Sequence, residues 1–203
     1  MNVSKPIIAG LMSIATLAPC KAQKAVQFVS ETGITGVVNK EASFYTGMNF
    51  QHVTDRNFTD LFAGASVAPD KKVTFLGLAI NNFSWTKNLS SWARETYAAS
   101  KNVSKSTLEV APVKANVTVG KFNFAFSPAY TLHNDFKQGT TRQGINTIFQ
   151  TTYSISKNDV IFAEAKYTSE PAKNLFDTHF GKLKDNISYF ICYMRNLKIK
   201  GSK

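Results

Sequence analysis

Cysteine is scarce in this chain of 203 residues, which contains only Cys20 and Cys192. Two cysteines allow at most one disulfide, whereas small extracellular scaffolds are held together by several. Long apolar runs are also missing: after the first 22 residues, no stretch approaches the ~20 apolar residues that a transmembrane helix needs. These absences exclude a disulfide-rich scaffold and a bundle of membrane-spanning helices.

Catalytic and phosphate-binding motifs are missing as well. The histidines His52, His133 and His179 form no His-x-x-x-His pair, and there is no Cys-x-x-Cys motif, Gly-x-Ser-x-Gly elbow or glycine-rich phosphate loop. Residues 52–55 and 133–135 leave open a remnant of an outer-membrane lipase or deacylase site, but polar residues at strand ends explain both more simply. Nucleophilic catalysis needs a base and a nucleophile oriented together. We therefore expect no catalytic residues, no metal, no cofactor and no enzymatic activity.

The first residues have the features of a secretory signal. Lys5 precedes an apolar run over residues 7–18, and Cys20 and Ala22 place small residues at both positions that signal peptidase reads. The apolar run is shorter than a membrane anchor requires. We expect cleavage after Ala22, which leaves Cys192 as the one cysteine of an exported protein.

The rest of the sequence alternates between apolar and polar residues with a period of two, which is typical of β-strands. Eight segments show this alternation, at residues 41–53, 59–67, 73–84, 110–119, 122–132, 142–155, 159–168 and 186–196. Residues 24–39 and 91–99 are also strand-like, so ten strands stay an alternative to eight.

The clearest alternation follows Gly120 and Lys121, which suit a two-residue hairpin turn. Phe122, Phe124 and Phe126 occupy one face of the next segment, and small or polar residues occupy the other. Across the segments the polar faces are rich in glycine, serine, asparagine and threonine, whereas a solvated surface is ~25–35% charged. Strands with one apolar and one small or polar face match tilted strands that cross a bilayer. We expect the phenylalanine row to face lipid.

The pattern resembles the small, eight-stranded outer-membrane β-barrels of bacteria, over residues 41–196 together with the signal. The resemblance implies an all-β, antiparallel up-and-down transmembrane barrel in a bacterial outer membrane. It divides the chain into a signal peptide (1–22), an N-terminal segment (23–40), the barrel (41–196) and a C-terminal tail (197–203). The connections alternate in length, as in barrels with short inner turns and longer outer loops. On this basis residues 54–58, 85–109 and 169–185 are expected at the outer end, and residues 68–72 at the inner end.

Three sets of residues are candidates for function. We expect a lumenal charge cluster of Lys114, Glu164 and Lys166 on the polar faces of their strands, because isolated charges in a narrow lumen are costly. Lys114 and Glu164 are expected at similar depth, with Lys166 about one layer higher. The lipid-facing candidates are Phe44, Phe122, Phe124, Phe126, Phe149 and Tyr153. The cationic candidates of the outer loops are Lys101, Lys105, Lys137, Arg142, Lys173, Lys182 and Lys184.

Together these features predict a non-enzymatic outer-membrane barrel with a lumen filled by side chains, whose outer loops serve surface interaction, adhesion or envelope integrity. The formal charge of +11 is dispersed along the chain, so we expect no nucleic-acid partner. Outer-membrane lipid and lipopolysaccharide are the expected partners, and a host or envelope surface is a further candidate. The alternative is a soluble periplasmic or secreted barrel, lipocalin-like, that points its apolar faces inward and binds an apolar ligand.

Overall fold

The computed structural model describes residues 25–38, 42–101, 103–169, 181–182 and 186–197. No helix in this part of the chain is long and apolar enough to cross a membrane. The strands are β1 (Ala25–Val37), β2 (Ser43–Val53), β3 (Asn57–Val67), β4 (Val73–Ser84), β5 (Leu89–Ala99), β6 (Ser104–Val119), β7 (Phe122–Asp135), β8 (Thr140–Ser154), β9 (Asp159–Ser169), the two-residue β10 (Gly181–Lys182) and β11 (Asn186–Leu197).

The ten longer strands form one closed antiparallel barrel. Each strand from β1 to β8 pairs with the next, and β11 joins β9 to β1, which completes the ring. The short β10 pairs in parallel with β8 at Arg142 and Gln143. The predicted all-β up-and-down barrel is confirmed, with the alternative count of ten strands rather than eight.

The two additional strands are β1 and β5, the stretches that the sequence marked as strand-like. The expected long outer loop at residues 85–109 is wrong, because this range contains a turn, the whole of β5 and the start of β6. On the face of β5 opposite Arg94 lie Ser91, Ala93 and Glu95. Because this face has no apolar row, the two faces of β5 differ too little in hydrophobicity to give a clear pattern of period two.

The added strands also change which connections share an end of the barrel. The described chain begins and ends at the same end as the turns at residues 54–56, 85–88, 120–121 and 155–158. The other end holds the strand ends at Val37, Ser43, Val67, Val73, Ala99, Ser104, Asp135, Thr140 and Ser169. Outer-membrane barrels have short inner turns and longer outer loops, so the second end is the outer one. The expectation that residues 54–58 lie at the outer end and residues 68–72 at the inner end is therefore wrong.

The exterior of the barrel is apolar. Phe44, Phe122, Phe124, Phe126 and Phe149 are all exposed. Tyr153 is half-buried and packs beside Phe122, with ring centroids 4.7 Å apart. A closed sheet with an apolar exterior, and with its buried charged side chains enclosed, is the arrangement of a transmembrane barrel. The chain is therefore an outer-membrane type of β-barrel, and the soluble alternative with inward apolar faces is excluded.

Strand β4 departs from the expected orientation. Its apolar residues Leu76 and Leu78 pack inside the barrel against a cluster of Tyr45, Phe62 and Cys192. Leu78 is the partner of Phe62 in the neighbouring strand, and paired residues point to the same side of a sheet. A period of two distinguishes the two faces of a strand but does not tell which one faces lipid.

Candidate functional site

A pair of charged residues connects nearly opposite walls of the lumen. Arg94 lies at the centre of β5 and Glu164 at the centre of β9, four strands apart in one direction around the ring and six in the other. The Arg94 guanidinium donates two hydrogen bonds to the Glu164 carboxylate, from Nη1 at 2.8 Å and from Nη2 at 2.9 Å. This is the two-pronged geometry in which arginine binds a carboxylate most strongly.

Two further charged residues extend this contact. Arg94 Nε donates to Glu109 Oε2 at 2.7 Å, and Lys166 Nζ donates to Glu109 Oε1 at 3.1 Å. Glu109 is 1% exposed and Glu164 is 8% exposed, and buried charges are tolerated only when they are paired. With two bases and two acids the group has no net charge. We call Arg94, Glu109, Glu164 and Lys166 the lumenal bridge.

Two amides of β8 support the bridge. Gln150 Nε2 donates to Glu164 Oε2 at 2.8 Å, and Asn146 Nδ2 donates to Glu109 Oε1. Glu164 is thus held by one base and one amide, and Glu109 by two bases and one amide. The lone pairs of both carboxylates are therefore largely used within the protein.

The wall behind the bridge is made of small side chains on β7. Ala125, Ser127 and Ala129 are buried, and Trp92 reaches over them from β5, donating from Nε1 to Ser127 Oγ at 3.3 Å. The Arg94 guanidinium carbon lies 5.1 Å from the centroid of the Trp92 ring, within the range of a cation–π contact. The alternation in β7 therefore has two uses: phenylalanines cover the outside, and small residues make room for Trp92 and Arg94 inside.

The predicted lumenal residues all lie inside the barrel, but the sequence did not reveal their main partner. Glu164 and Lys166 belong to the bridge, and Lys114 lines the same cavity and interacts electrostatically with Glu164. In the described part of the chain Glu164 forms its ion pair with Arg94. Arg94 and Glu109 lie within residues 85–109, for which the sequence predicts a loop. The strand-like pattern of residues 91–99 is the one sequence signal that could have predicted a lumenal position for Arg94.

A second polar group lies on the opposite wall, on β1 to β3. Glu31 accepts hydrogen bonds from Tyr45 Oη at 2.8 Å and Asn49 Nδ2 at 2.6 Å. Asp60 accepts one from Gln51 Nε2 at 3.3 Å. Among the described residues no base forms an ion pair with either acid. We call Glu31, Asn49, Gln51 and Asp60 the acidic wall.

A cavity of about 550 Å³ lies between these two walls. The lumenal bridge and Lys114 line one side of it, and the acidic wall lines the other. Apolar side chains complete the lining, among them Phe58, Phe62, Leu78, Ile80, Phe162 and Phe190. The lumen thus offers charged, amide and apolar surfaces within one small space.

The cationic candidates of the outer loops are placed at the outer end. Lys101 and Lys137 lie in the connections at residues 100–103 and 136–139, and Lys137 Nζ donates to the carbonyl oxygen of Lys101. Lys105 is the second residue of β6 and pairs with Asp135 at 3.3 Å, and Arg142 lies near the outer end of β8. Outside the described residues lie Lys173, Lys184 and the side chain of Lys182.

The histidines are dispersed. His52 lies at the inner end of β2, and His133 lies near the outer end of β7, where its Nδ1 is 2.7 Å from Thr107 Oγ1. His179 lies outside the described residues. Within the described ranges, no group of three or more His, Cys, Asp and Glu side chains could hold a metal ion.

No protein-family model and no curated protein sequence matches the chain. Among solved structures, it is similar to a NanC porin, at 11% identity over 85% of this chain and 100% of that one, with a TM-score of 0.45. It is also similar to a bacterial polysaccharide outer-membrane secretin, at 9% identity over 85% and 66% of the two chains, with a TM-score of 0.47. A KdgM porin in complex with disordered oligogalacturonate is similar at 10% identity over 85% and 99%, with a TM-score of 0.41.

Proposed function

We propose that this protein is a non-enzymatic outer-membrane barrel whose lumen is closed to sugar-sized solutes by the lumenal bridge, and that it acts through its outer end. The observation that supports closure is the contact of Arg94 with Glu164 between nearly opposite walls. An eight-stranded barrel is just wide enough for its own side chains. A ten-stranded barrel is wider, so closing it takes long side chains that meet across the lumen.

The bridge is expected to stay closed in the membrane. Separating Arg94 from Glu164 leaves charges without partners in a confined interior, and breaking a buried pair typically costs about 3–5 kcal/mol. A passing solute would have to compensate for that loss with contacts of its own.

Aromatic packing fills much of the space beside the bridge. Tyr45 stacks on Phe190, with ring centroids 5.0 Å apart, and meets Phe62 edge-on at 6.2 Å. Phe162 packs against Phe190 at 5.8 Å. These rings occupy the wall opposite β7, so the bridge and the aromatic cluster narrow the lumen from both sides.

The absence of enzymatic activity is part of the proposal. His133 Nδ1 lies 2.7 Å from the Thr107 hydroxyl, so a base and a hydroxyl meet here. The Asp135 carboxylate instead accepts from the backbone N–H groups of Lys137 and Gln138 and pairs with Lys105. A catalytic base needs an acid that orients it toward a nucleophile. Asp135 does not orient His133 in this way, because its carboxylate bonds to Lys105 and to the two backbone N–H groups.

Liposome swelling tests the closed lumen. The protein, folded into vesicles that contain an impermeant solute, should admit mono- and disaccharides no faster than protein-free vesicles do. A general porin in parallel vesicles is the positive control. Swelling rates that fall with sugar size, as for a porin, would show that the lumen is open and contradict the proposal.

For the outer end we propose contact with phosphate-bearing headgroups of lipopolysaccharide. The supporting observation is the placement of Lys101, Lys137 and Arg142 at that end, since clustered cations attract anionic partners. Lipopolysaccharide in the vesicles should raise the unfolding temperature, and less so at high salt. The gain should shrink in the Lys101→Gln/Arg142→Gln variant and persist in Lys157→Gln, which changes an inner turn. Equal gains in both variants would contradict this contact.

A further inference from the structure

We propose that the lumenal cavity beside the bridge is a binding site for a small organic cation, which places its primary ammonium group against the acidic wall and its aliphatic body against the apolar lining. This site is distinct from the closure of the lumen and from the cationic outer end. Three independent observations lead to it: uncompensated charge, unpartnered acceptor atoms, and the character of the remaining cavity wall.

The charge of the lumen is unevenly distributed. The lumenal bridge is neutral, because its two bases pair with its two acids. Lys114 interacts with Glu164, on the side of the bridge. Glu31 and Asp60 both line the cavity from this wall, and no described base pairs with them. The acidic wall therefore holds two acids without a counter-charge, which a cation in the cavity can supply.

The same wall has buried acceptor atoms without partners. Asn49 is 1% exposed and Asp60 is 7% exposed, yet Asn49 Oδ1 and Asp60 Oδ1 have no hydrogen-bond partner, and neither does Asn82 Oδ1 on the next strand. Asn49 Nδ2 donates to Glu31, which fixes the amide so that its oxygen is the free atom. Buried polar atoms in native proteins nearly always have a partner. All three residues line the cavity, so a ligand there can supply the missing donors.

The chemistry of these atoms selects the ligand. All three are oxygen acceptors, and a primary ammonium group carries three N–H donors and no acceptor. An anion would be repelled by Asp60 and Glu31, and a neutral alcohol supplies only one donor. Asp60 lies between the two amides, because Asn49 pairs with Phe62 and Asn82 pairs with Phe58, two residues to either side of Asp60 on β3. A compact ammonium head therefore suits Asp60 together with one neighbouring amide oxygen, that of Asn82.

The rest of the cavity suits an aliphatic body. Phe58, Leu78 and Ile80 line it beside the acceptors. A cavity of about 550 Å³ falls within the range of roughly 300–1,000 Å³ that is usual for small-molecule sites. The apolar lining thus favours an amine with a carbon chain over a bare metal ion, which would make no use of these side chains.

Isothermal titration calorimetry with n-butylammonium tests the proposal, using the full chain folded in detergent micelles. 1-Butanol and butyrate have similar apolar bodies and control for partition into the micelle. We expect saturable binding of n-butylammonium at least tenfold tighter than that of 1-butanol, and no binding of butyrate. No saturable binding of the amine, or equal binding of the alcohol, would overturn the proposal.

Two variants locate the site. Asp60→Asn keeps the shape of the side chain and removes its charge, and we expect it to weaken n-butylammonium binding at least tenfold. Asp70→Asn in the connection between β3 and β4 removes an acid outside the lumen and should bind as the parent does. If Asp60→Asn does not fold, Asn82→Ala removes one acceptor and should weaken binding severalfold. Parent-like binding by the folded lumenal variant would overturn the proposal, as would binding of Ca²⁺ at this wall that excludes the amine.

Discussion

Arg94 and Glu164 meet across the lumen from strands that are four places apart in the ring, through two hydrogen bonds of 2.8 and 2.9 Å. Neither strand is a sequence neighbour of the other, so this contact forms only when the sheet from β5 to β9 is assembled and curved. It therefore links the curvature of the sheet to the closure of the lumen.

The first prediction is energetic coupling between these two residues. Glu164→Gln should lower the free energy of unfolding by an amount near the low end of the ~3–5 kcal/mol that breaking a buried pair costs. The loss is limited because Arg94 still pairs with Glu109. Arg94→Met should cost more, since it leaves both acids without that base. In a double-mutant cycle the combined loss should be smaller than the sum, as measured by urea unfolding in lipid vesicles.

Lys114 provides a matched comparison for this cycle. It interacts with Glu164 at longer range, without an ion pair among the described residues. The Lys114→Met/Glu164→Gln cycle should therefore give a smaller coupling free energy than the Arg94 cycle. Additive effects at Arg94, or a larger coupling at Lys114, would show that the bridge is wrongly assigned.

The second prediction concerns the lipid-facing surface. Phe124→Arg and Phe149→Arg should each destabilise the inserted barrel by about 2–4 kcal/mol, because a cation on this face must enter the hydrocarbon layer. Phe136→Arg changes an equally exposed phenylalanine in the outer connection between β7 and β8 and should have little effect. Insertion into vesicles and heat-modifiable gel mobility measure the difference. Similar insertion of all three variants would contradict the assigned exterior.

The third prediction concerns two glycines beneath the Phe62 ring. A Cβ on Gly47 would lie 2.6 Å from the carbonyl oxygen of Ala63, and one on Gly64 would lie 2.9 Å from the Cα of Gly47. Gly47→Ala should cost about 1–3 kcal/mol, because the backbone and the ring must move apart. Gly77→Ala is the control, since the nearest atom to its Cβ would be 3.8 Å away. Equal unfolding midpoints for the two variants would show that Phe62 does not lie over Gly47.

The sequence predicts the parts of the fold in which the two faces of a strand differ strongly. The phenylalanine row of β7 is the best example, because phenyl rings alternate there with small residues. The two faces of β5 do not differ in this way, so the sequence predicts a loop there and gives no sign that Arg94 points into the lumen. In β4 the contrast is present but reversed, because Leu76 and Leu78 complete an apolar cluster within the lumen.

The candidate site is harder to predict than the fold. Glu164 and Lys166 are recognisable as charges on a polar face, but their partners come from β5 and β6, far away in the sequence. The register that brings Arg94 opposite Glu164 depends on the number of strands and on two irregularities of pairing in β6. Neither the strand number nor these irregularities can be read from the local alternation of residues. The contacts across the lumen therefore could not be predicted from the sequence.

Single-channel recording in planar bilayers tests the closed lumen most directly. The parent protein should give no conductance steps of porin size, and the Arg94→Ser/Glu164→Ser variant should give small, reproducible steps once heat-modifiable mobility has shown that it is folded. Both results follow if the lumenal bridge closes the pore. Porin-sized steps from the parent, or identical recordings from the parent and the folded variant, would contradict it.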